Sequence, residues 1–292
     1  MLGPLPVFLR VLTALLIYWA AICGVAIALV RARVFFFARH HRLWRKGLDL
    51  ALAGKPIEAE RCYRAALDLG ARVPESDHVR LLVCLGNALM DQKRYGEAKQ
   101  YLTQALKLVD PTGGGQGSMC DLLLAQRAEP EKALEMADEA MRLRAQRDYS
   151  QAYGDRWEAV SRDLFEAKTW ARKAQALVLL DRQTEARQAM DRALRIVEMS
   201  NSELQRAMPG APLKAKLILG NRVRRHKQLT ISETHWQIGL ALLAMRDNAK
   251  AAEHFLIVRN TDRGGKYRNL AQEQLGKLGY ADKTPLGNKQ AF

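Results

Sequence analysis

Few residues in this chain of 292 break a helix. It has 20 glycines and 9 prolines, and aromatic side chains make up 7%. Alanine, leucine, arginine and glutamine abound instead, and that balance points to an all-helical protein. The four cysteines (Cys23, Cys62, Cys84, Cys120) form no Cys-x-x-Cys pair and no metal-ligand spacing, which removes zinc and dithiol chemistry. Cys62 and Cys84 fall on apolar helical faces and read as buried, reduced thiols, in keeping with a reducing compartment. His40, His41, His78, His226, His235 and His254 lack the spacing and carboxylate company of a metal or catalytic site, and His235 reads as a packing residue. The run Gly113-Gly-Gly-Gln-Gly117 lacks the Gly-Lys-Ser/Thr ending of a phosphate loop and follows no strand, so it reads as a flexible linker. No nucleophile stands beside a base. The sequence therefore argues against an enzyme, and no cofactor is expected.

Charge is missing altogether from residues 11 to 30. Twenty helical residues at 1.5 Å each span a hydrocarbon core of about 30 Å. Arginines follow the core at once and only Arg10 precedes it, which favours a retained anchor over a cleaved signal peptide. Arg31, Arg33, Arg39, Arg42, Arg45 and Lys46 on the far side predict an outside amino terminus and a cytoplasmic remainder. Phe35 to Phe37 and Trp44, set among these cations, suit the headgroup layer. Ala20, Gly24 and Ala28 share one face of the span and offer a close approach to a second transmembrane helix, from another protein or a second copy. The organisation expected is an anchor with its basic flank over 1–37, a helical domain over 38–280 and a disordered tail over 281–292.

Within that domain a pattern recurs. Its first copy has Leu43, Gly47, Leu50, Gly54, Ala59, Tyr63 and Ala66, and the second has Leu82, Gly86, Leu89, Tyr95, Ala98, Leu102 and Ala105, closed by Pro111. A third keeps Trp170, Ala174, Leu177, Ala186, Met190 and Ala193, and a fourth His235, Gly239, Leu242, Ala251, Phe255 and Val258. The small residues Gly47, Gly86, Ala174 and Gly239 mark where a first helix crosses a second. Ala59, Ala98, Ala186 and Ala251 let the second return, and Tyr63, Leu102, Met190 and Phe255 fill space toward the next unit. This phasing resembles the tetratricopeptide repeat, a 34-residue helix-turn-helix. A weaker copy runs from Leu122 to Leu143, with Asp121 where glycine is expected, and insertions are placed near 144–165 and 199–231. Tyr267 to Leu278 reads as a closing helix. The fold expected is thus an all-α tetratricopeptide-type solenoid of about four or five repeats behind a single transmembrane helix.

The resemblance implies a groove lined by each repeat's first helix and a non-enzymatic scaffold or adaptor that assembles protein partners at the membrane. Carried over residue by residue, the lining is His41, Trp44 and Leu48, then Arg80, Val83, Asn87 and Met90, then Lys168, Arg172 and Gln175, then Trp236. In relatives that clamp chaperone tails, lysine, arginine and asparagine hold a terminal carboxylate. Lys168, Arg172 and Asn87 match such positions, but Val83 stands where the preceding lysine belongs. A basic groove for an acidic or carboxylate-bearing partner is the resulting expectation. The competing reading is a permanent accessory subunit of a membrane complex. A third is anionic-lipid or nucleic-acid binding through the basic patch Lys214, Lys216, Arg222, Arg224, Arg225 and Lys227, where missing aromatics disfavour nucleic acid.

Overall fold

The computed structural model describes residues 18–19, 22–23, 25, 39–69, 75–108, 113–146, 156–207, 220–262 and 265–280, with backbone only for 156–161, 201–207 and 220–227. The described fold is all helical. The elements are α1 (39–52), α2 (Pro56–Leu67), α3 (Glu75–Asp91), α4 (Tyr95–Lys107), α5 (Gly114–Gln126), α6 (Pro130–Gln146), α7 (Arg156–Leu179), α8 (Gln183–Ala207), α9 (Gly220–Ala244), α10 (Asn248–Thr261) and α11 (Lys266–Lys277). Neighbours in sequence pack as antiparallel pairs, and α7 also packs on α9. Among the described residues no helix is long and apolar enough to cross a membrane. The expected span lies almost wholly outside them: Tyr18, Trp19, Ile22 and Val25 are helical and exposed, while Ala20, Gly24 and Ala28 are not described. Residues 281–292 are likewise outside.

Every pair opens its turn in the same way. The first helix ends in a residue with positive φ: Gly54, Lys93, Arg127, Asp181 and Arg246 in the five pairs. Each time the next N–H returns to a leucine carbonyl one turn back: Lys55 to Leu50, Arg94 to Leu89, Ala128 to Leu123, Arg182 to Leu177 and Asp247 to Leu242, at 2.9 to 3.1 Å. These bonds satisfy carbonyls that a helix end leaves open, and the left-handed residue makes the reversal possible. Only the first pair uses glycine there. The other four accept a conformation that costs an L-residue on the order of 1 kcal/mol.

At the crossing, a residue seven positions before each left-handed residue lies beneath a larger one from the second helix. A side-chain carbon on Gly47 would sit 2.5 Å from the Tyr63 ring, one on Gly86 2.7 Å from Leu102, and one on Gly239 2.5 Å from the Phe255 ring. The large residues therefore cover the glycine of their own pair, where the sequence suggested that they reach toward the next. Ala174 and Met190 hold the equivalent places in the fourth pair, and both are buried.

The third pair departs from its sequence reading in two ways. The glycine run is no linker, because α5 begins within it. Gly113 is left-handed and lies against the Ala140 backbone, and Gly117 leaves room for Arg172. Cys120, not Asp121, takes the crossing position, and the fully buried Ala137 faces the same core. The α5–α6 turn carries one extra residue, with Glu129 also at positive φ, and this shifts the second helix by one. Burial pushes the Cys120 thiol up to about 12, so it stays protonated. Much of the two expected insertions is helix: α7, α8 and α9 reach 24 or 25 residues by extending into them.

Two large apolar cores result, one over α2 to α6 with Ala176 of α7 and one over α7 to α11, and Leu134 packs against both; a smaller cluster gathers Val79, Leu82 and Ala105. Between the first two pairs, Glu60 adds a polar tie. It accepts from Arg64 at 2.8 Å, Gln92 at 2.9 Å and Arg94 at 2.8 Å, and Arg94 forks onto Glu97. The glycine contacts make a direct test. Gly239→Leu should lower unfolding stability by about 1 to 3 kcal/mol through overpacking against Phe255. Gly276→Ala has open space, with nothing within 4 Å, and should raise stability by about 0.5 to 1 kcal/mol. Urea midpoints of the two variants, moving in opposite directions, check both.

Candidate functional site

Helices α3, α5, α7, α9 and α11, the first of each later pair and the closing helix, surround one cavity of about 850 Å³. Of the lining carried over from the repeat pattern, Val83, Asn87, Met90, Lys168, Arg172, Gln175 and Trp236 converge here. His41, Trp44 and Leu48 on α1 do not reach it. Arg80 lies on the outer end of α3, exposed and 3.5 Å from Asp77. Asp91, Asp121, Phe165, Glu233, Gln237, Lys266 and Tyr267 join the wall unannounced by the pattern.

The expected carboxylate clamp is already filled from within the chain. Arg172 is buried and forks onto Asp121, Nε to Oδ1 at 2.6 Å and Nη2 to Oδ2 at 2.5 Å. Gln237 donates to Asp121 Oδ1 at 3.1 Å, and Gln175 donates to Gln237 Oε1 at 3.2 Å. Lys168 Nζ lies 2.8 Å from Glu233. Burial works against charge on Glu233, yet Lys168 and Arg172 outweigh it and hold the carboxyl below its usual range. Burial, helped by Glu233, Asp91 and Asp121, pushes the Tyr267 phenol well up. Four cations in the wall, Arg127, Lys168, Arg172 and Lys266, meet three carboxylates, Asp91, Asp121 and Glu233. The groove is therefore mixed in charge, which corrects the expectation of a basic one.

Two residue pairs explain how this wall is built. Lys168 and Arg172 are one helical turn apart on α7, and Glu233 and Gln237 repeat that step on α9, so Lys168 meets Glu233 while Arg172 and Gln237 both reach Asp121. Asp121 enters because Cys120 holds the crossing position, and the next residue faces inward as Asn87 does after Gly86. Among the described residues no group of three or more His, Cys, Asp or Glu is placed to hold a metal ion. Asn87 Oδ1 is buried in the wall with no hydrogen-bond partner among the described residues. Lys214 and Lys216 lie outside the described residues, and Arg222, Arg224, Arg225 and Lys227 fall on the first turns of α9, where only the backbone is described.

With this geometry in place, comparison with known proteins adds the family. The tetratricopeptide repeat model matches residues 79–110, which cover most of α3 and all of α4. No match was found among curated proteins. The chain thus carries a tetratricopeptide repeat in α3–α4, and the turn and crossing of that matched pair recur in α1–α2, α7–α8 and α9–α10.

Removing one partner from the Arg172–Asp121 pair leaves a charge stranded in the wall. Arg172→Met should cost about 3 kcal/mol of unfolding stability, and adding Asp121→Asn should recover most of it. Denaturant titrations of the single and double variants read this coupling.

The buried His235 meets His254 across the α9–α10 crossing, Nδ1 to Nδ1 at 2.9 Å. One ring donates and the other accepts, so both are neutral. Burial, with His254 beside it, pushes His235 down to about 3, and burial pushes His254 down to about 4. Histidines of the unfolded chain take up protons below pH about 6.5. The folded pair resists until far lower, so stability is greatest above pH 6.5 and falls as the solution is acidified from there toward pH 4. The loss between pH 7.5 and 5 should be on the order of 3 kcal/mol. Melting curves of the native chain and His254→Gln over that range should show a shallower decline in the variant.

Proposed function

We propose that this chain is a non-enzymatic, membrane-held scaffold that takes an extended segment of a protein partner into the cavity. The observation that carries the reading is the convergence of first-helix positions from α3, α7 and α9 on one chamber. Its volume of about 850 Å³ falls in the range of binding pockets, about 300–1,000 Å³. Val83, Met90, Phe165 and Leu240 offer apolar contact. Asn87 Oδ1 is an acceptor awaiting a backbone N–H. Because Lys168, Arg172 and Lys266 are matched by the wall's own carboxylates, the segment is held by shape and hydrogen bonds, and a terminal carboxylate is not the handle.

Membrane attachment is the second half of the proposal. It rests on the uncharged run 11–30, on the arginines behind it and on exposed Tyr18, Trp19, Ile22 and Val25. The orientation proposed is amino terminus outside and repeat domain in the cytoplasm.

A mild-detergent pull-down of tagged full-length chain tests both halves beside Met90→Arg, which fills the chamber, and beside a chain lacking residues 1–37. The expected result is loss of the co-purifying protein with Met90→Arg, and its retention, without sedimentation on membranes, by the truncated chain. Recovery of integral membrane proteins at fixed stoichiometry by the full-length chain alone, indifferent to Met90→Arg, would instead mark a permanent subunit of a membrane complex.

A further inference from the structure

The array does not end open. Lys266, the first residue of α11, places its Nζ 2.5 and 2.7 Å from the two carboxylate oxygens of Asp91, the last residue of α3. The first turn is close as well, since a side-chain carbon on Gly54 would lie 3.8 Å from Lys266 Cα. The closing helix packs broadly on α10 and more lightly on α9, and among the described residues its one side-chain ion pair to the early repeats is this one. The Lys266–Asp91 pair, with the Gly54 turn beside it, joins the two lips of the chamber.

Each member of the pair is wrongly placed for its own helix. A cation at a helix amino terminus and an anion at a carboxyl terminus both oppose the helix dipole. Lys266 thus works against α11 and Asp91 against α3, and local helix stability accounts for neither. Their contact accounts for both. Each is about one quarter exposed, 24%, so water and salt reach the pair, and its strength is that of a breakable surface bridge.

We propose that α11 is a gate. The Lys266–Asp91 clasp holds the chamber shut, and release of the clasp swings the closing helix away from α3 and opens the groove along its length. This regulation rests on the reading of the chamber as a partner site, but it is tested without any partner. Hydrogen–deuterium exchange of the full chain in detergent is followed over residues 266–277 and 75–91. Lys266→Glu should speed exchange in 266–277 about threefold or more through loss of the clasp. Raised acrylamide quenching of tryptophan emission, through Trp236 in the wall, should accompany it. The swapped variant Asp91→Lys/Lys266→Glu should return exchange to the native rate or below it, because the pair is rebuilt with both charges now suited to their helices.

High salt should speed exchange in the native chain, a measurement that needs no variant to fold, and should slow it in Lys266→Glu, where screening relieves the repulsion from Asp91. The dipole alone demands the opposite of the first result, since glutamate at that terminus stabilises α11. Unchanged or slower exchange in Lys266→Glu overturns the gate, as does a swapped variant of full helical content that stays as fast as the single one. Either failure leaves the pull-down with Met90→Arg to judge the chamber by itself.

Discussion

Helix pairs in this array close because, at each crossing, a bulky side chain from the second helix lies where the first has almost nothing to oppose it. Tyr63 over Gly47, Leu102 over Gly86 and Phe255 over Gly239 bring backbone and side chain so near that one added carbon would overlap. Close packing of this kind fixes the angle and depth of each pair before any contact between pairs is made. It also decides which residues of the first helix are left to face inward. The positions one and four beyond the crossing residue, such as Asn87 and Met90 after Gly86, then fall on the concave side. The chamber is a consequence of where the glycines are.

That constraint is local, and so it was legible in the sequence. A small residue, a leucine three positions later and an alanine twelve positions after the small residue form one motif, and the structure holds it at Gly47, Gly86, Ala174 and Gly239. The third pair blurs because its turn is one residue longer and its bulk is redistributed, with Cys120 below and Ala137 above. A glycine run that looks like a loop on composition then proves to be helix whose glycines admit Ala140 and Arg172. The run's own composition carries no sign of those neighbours.

The inner wall was legible only in part. First-helix positions on α3, α7 and α9 followed from the repeat register. Whether α1 belongs with them depends on how tightly the array curls, and that is set by the long helices α7 to α9 and by the meeting of α11 with α3. Lys266 and Asp91 are 175 positions apart, and no local pattern links them. Reading Lys168 and Arg172 as unoccupied cations failed for the same reason. Their partners come from other helices, Glu233 on α9 and Asp121 on α5.

The balance of charge then separates two kinds of attraction. The whole chain carries +15, yet the chamber wall sets four cations against three carboxylates. Among the described residues, exposed cations on outer faces, such as Arg61, Lys107 and Arg187, carry part of the remainder. Long-range attraction to anionic surfaces is a property of that exterior and is screened within about 8 Å at physiological salt. Recognition inside the chamber works at contact distance, through apolar walls and an acceptor such as Asn87. A chain built this way can be drawn to a charged surface without its binding site being filled by the same ions, since Arg172, Lys168 and Lys266 are held by Asp121, Glu233 and Asp91.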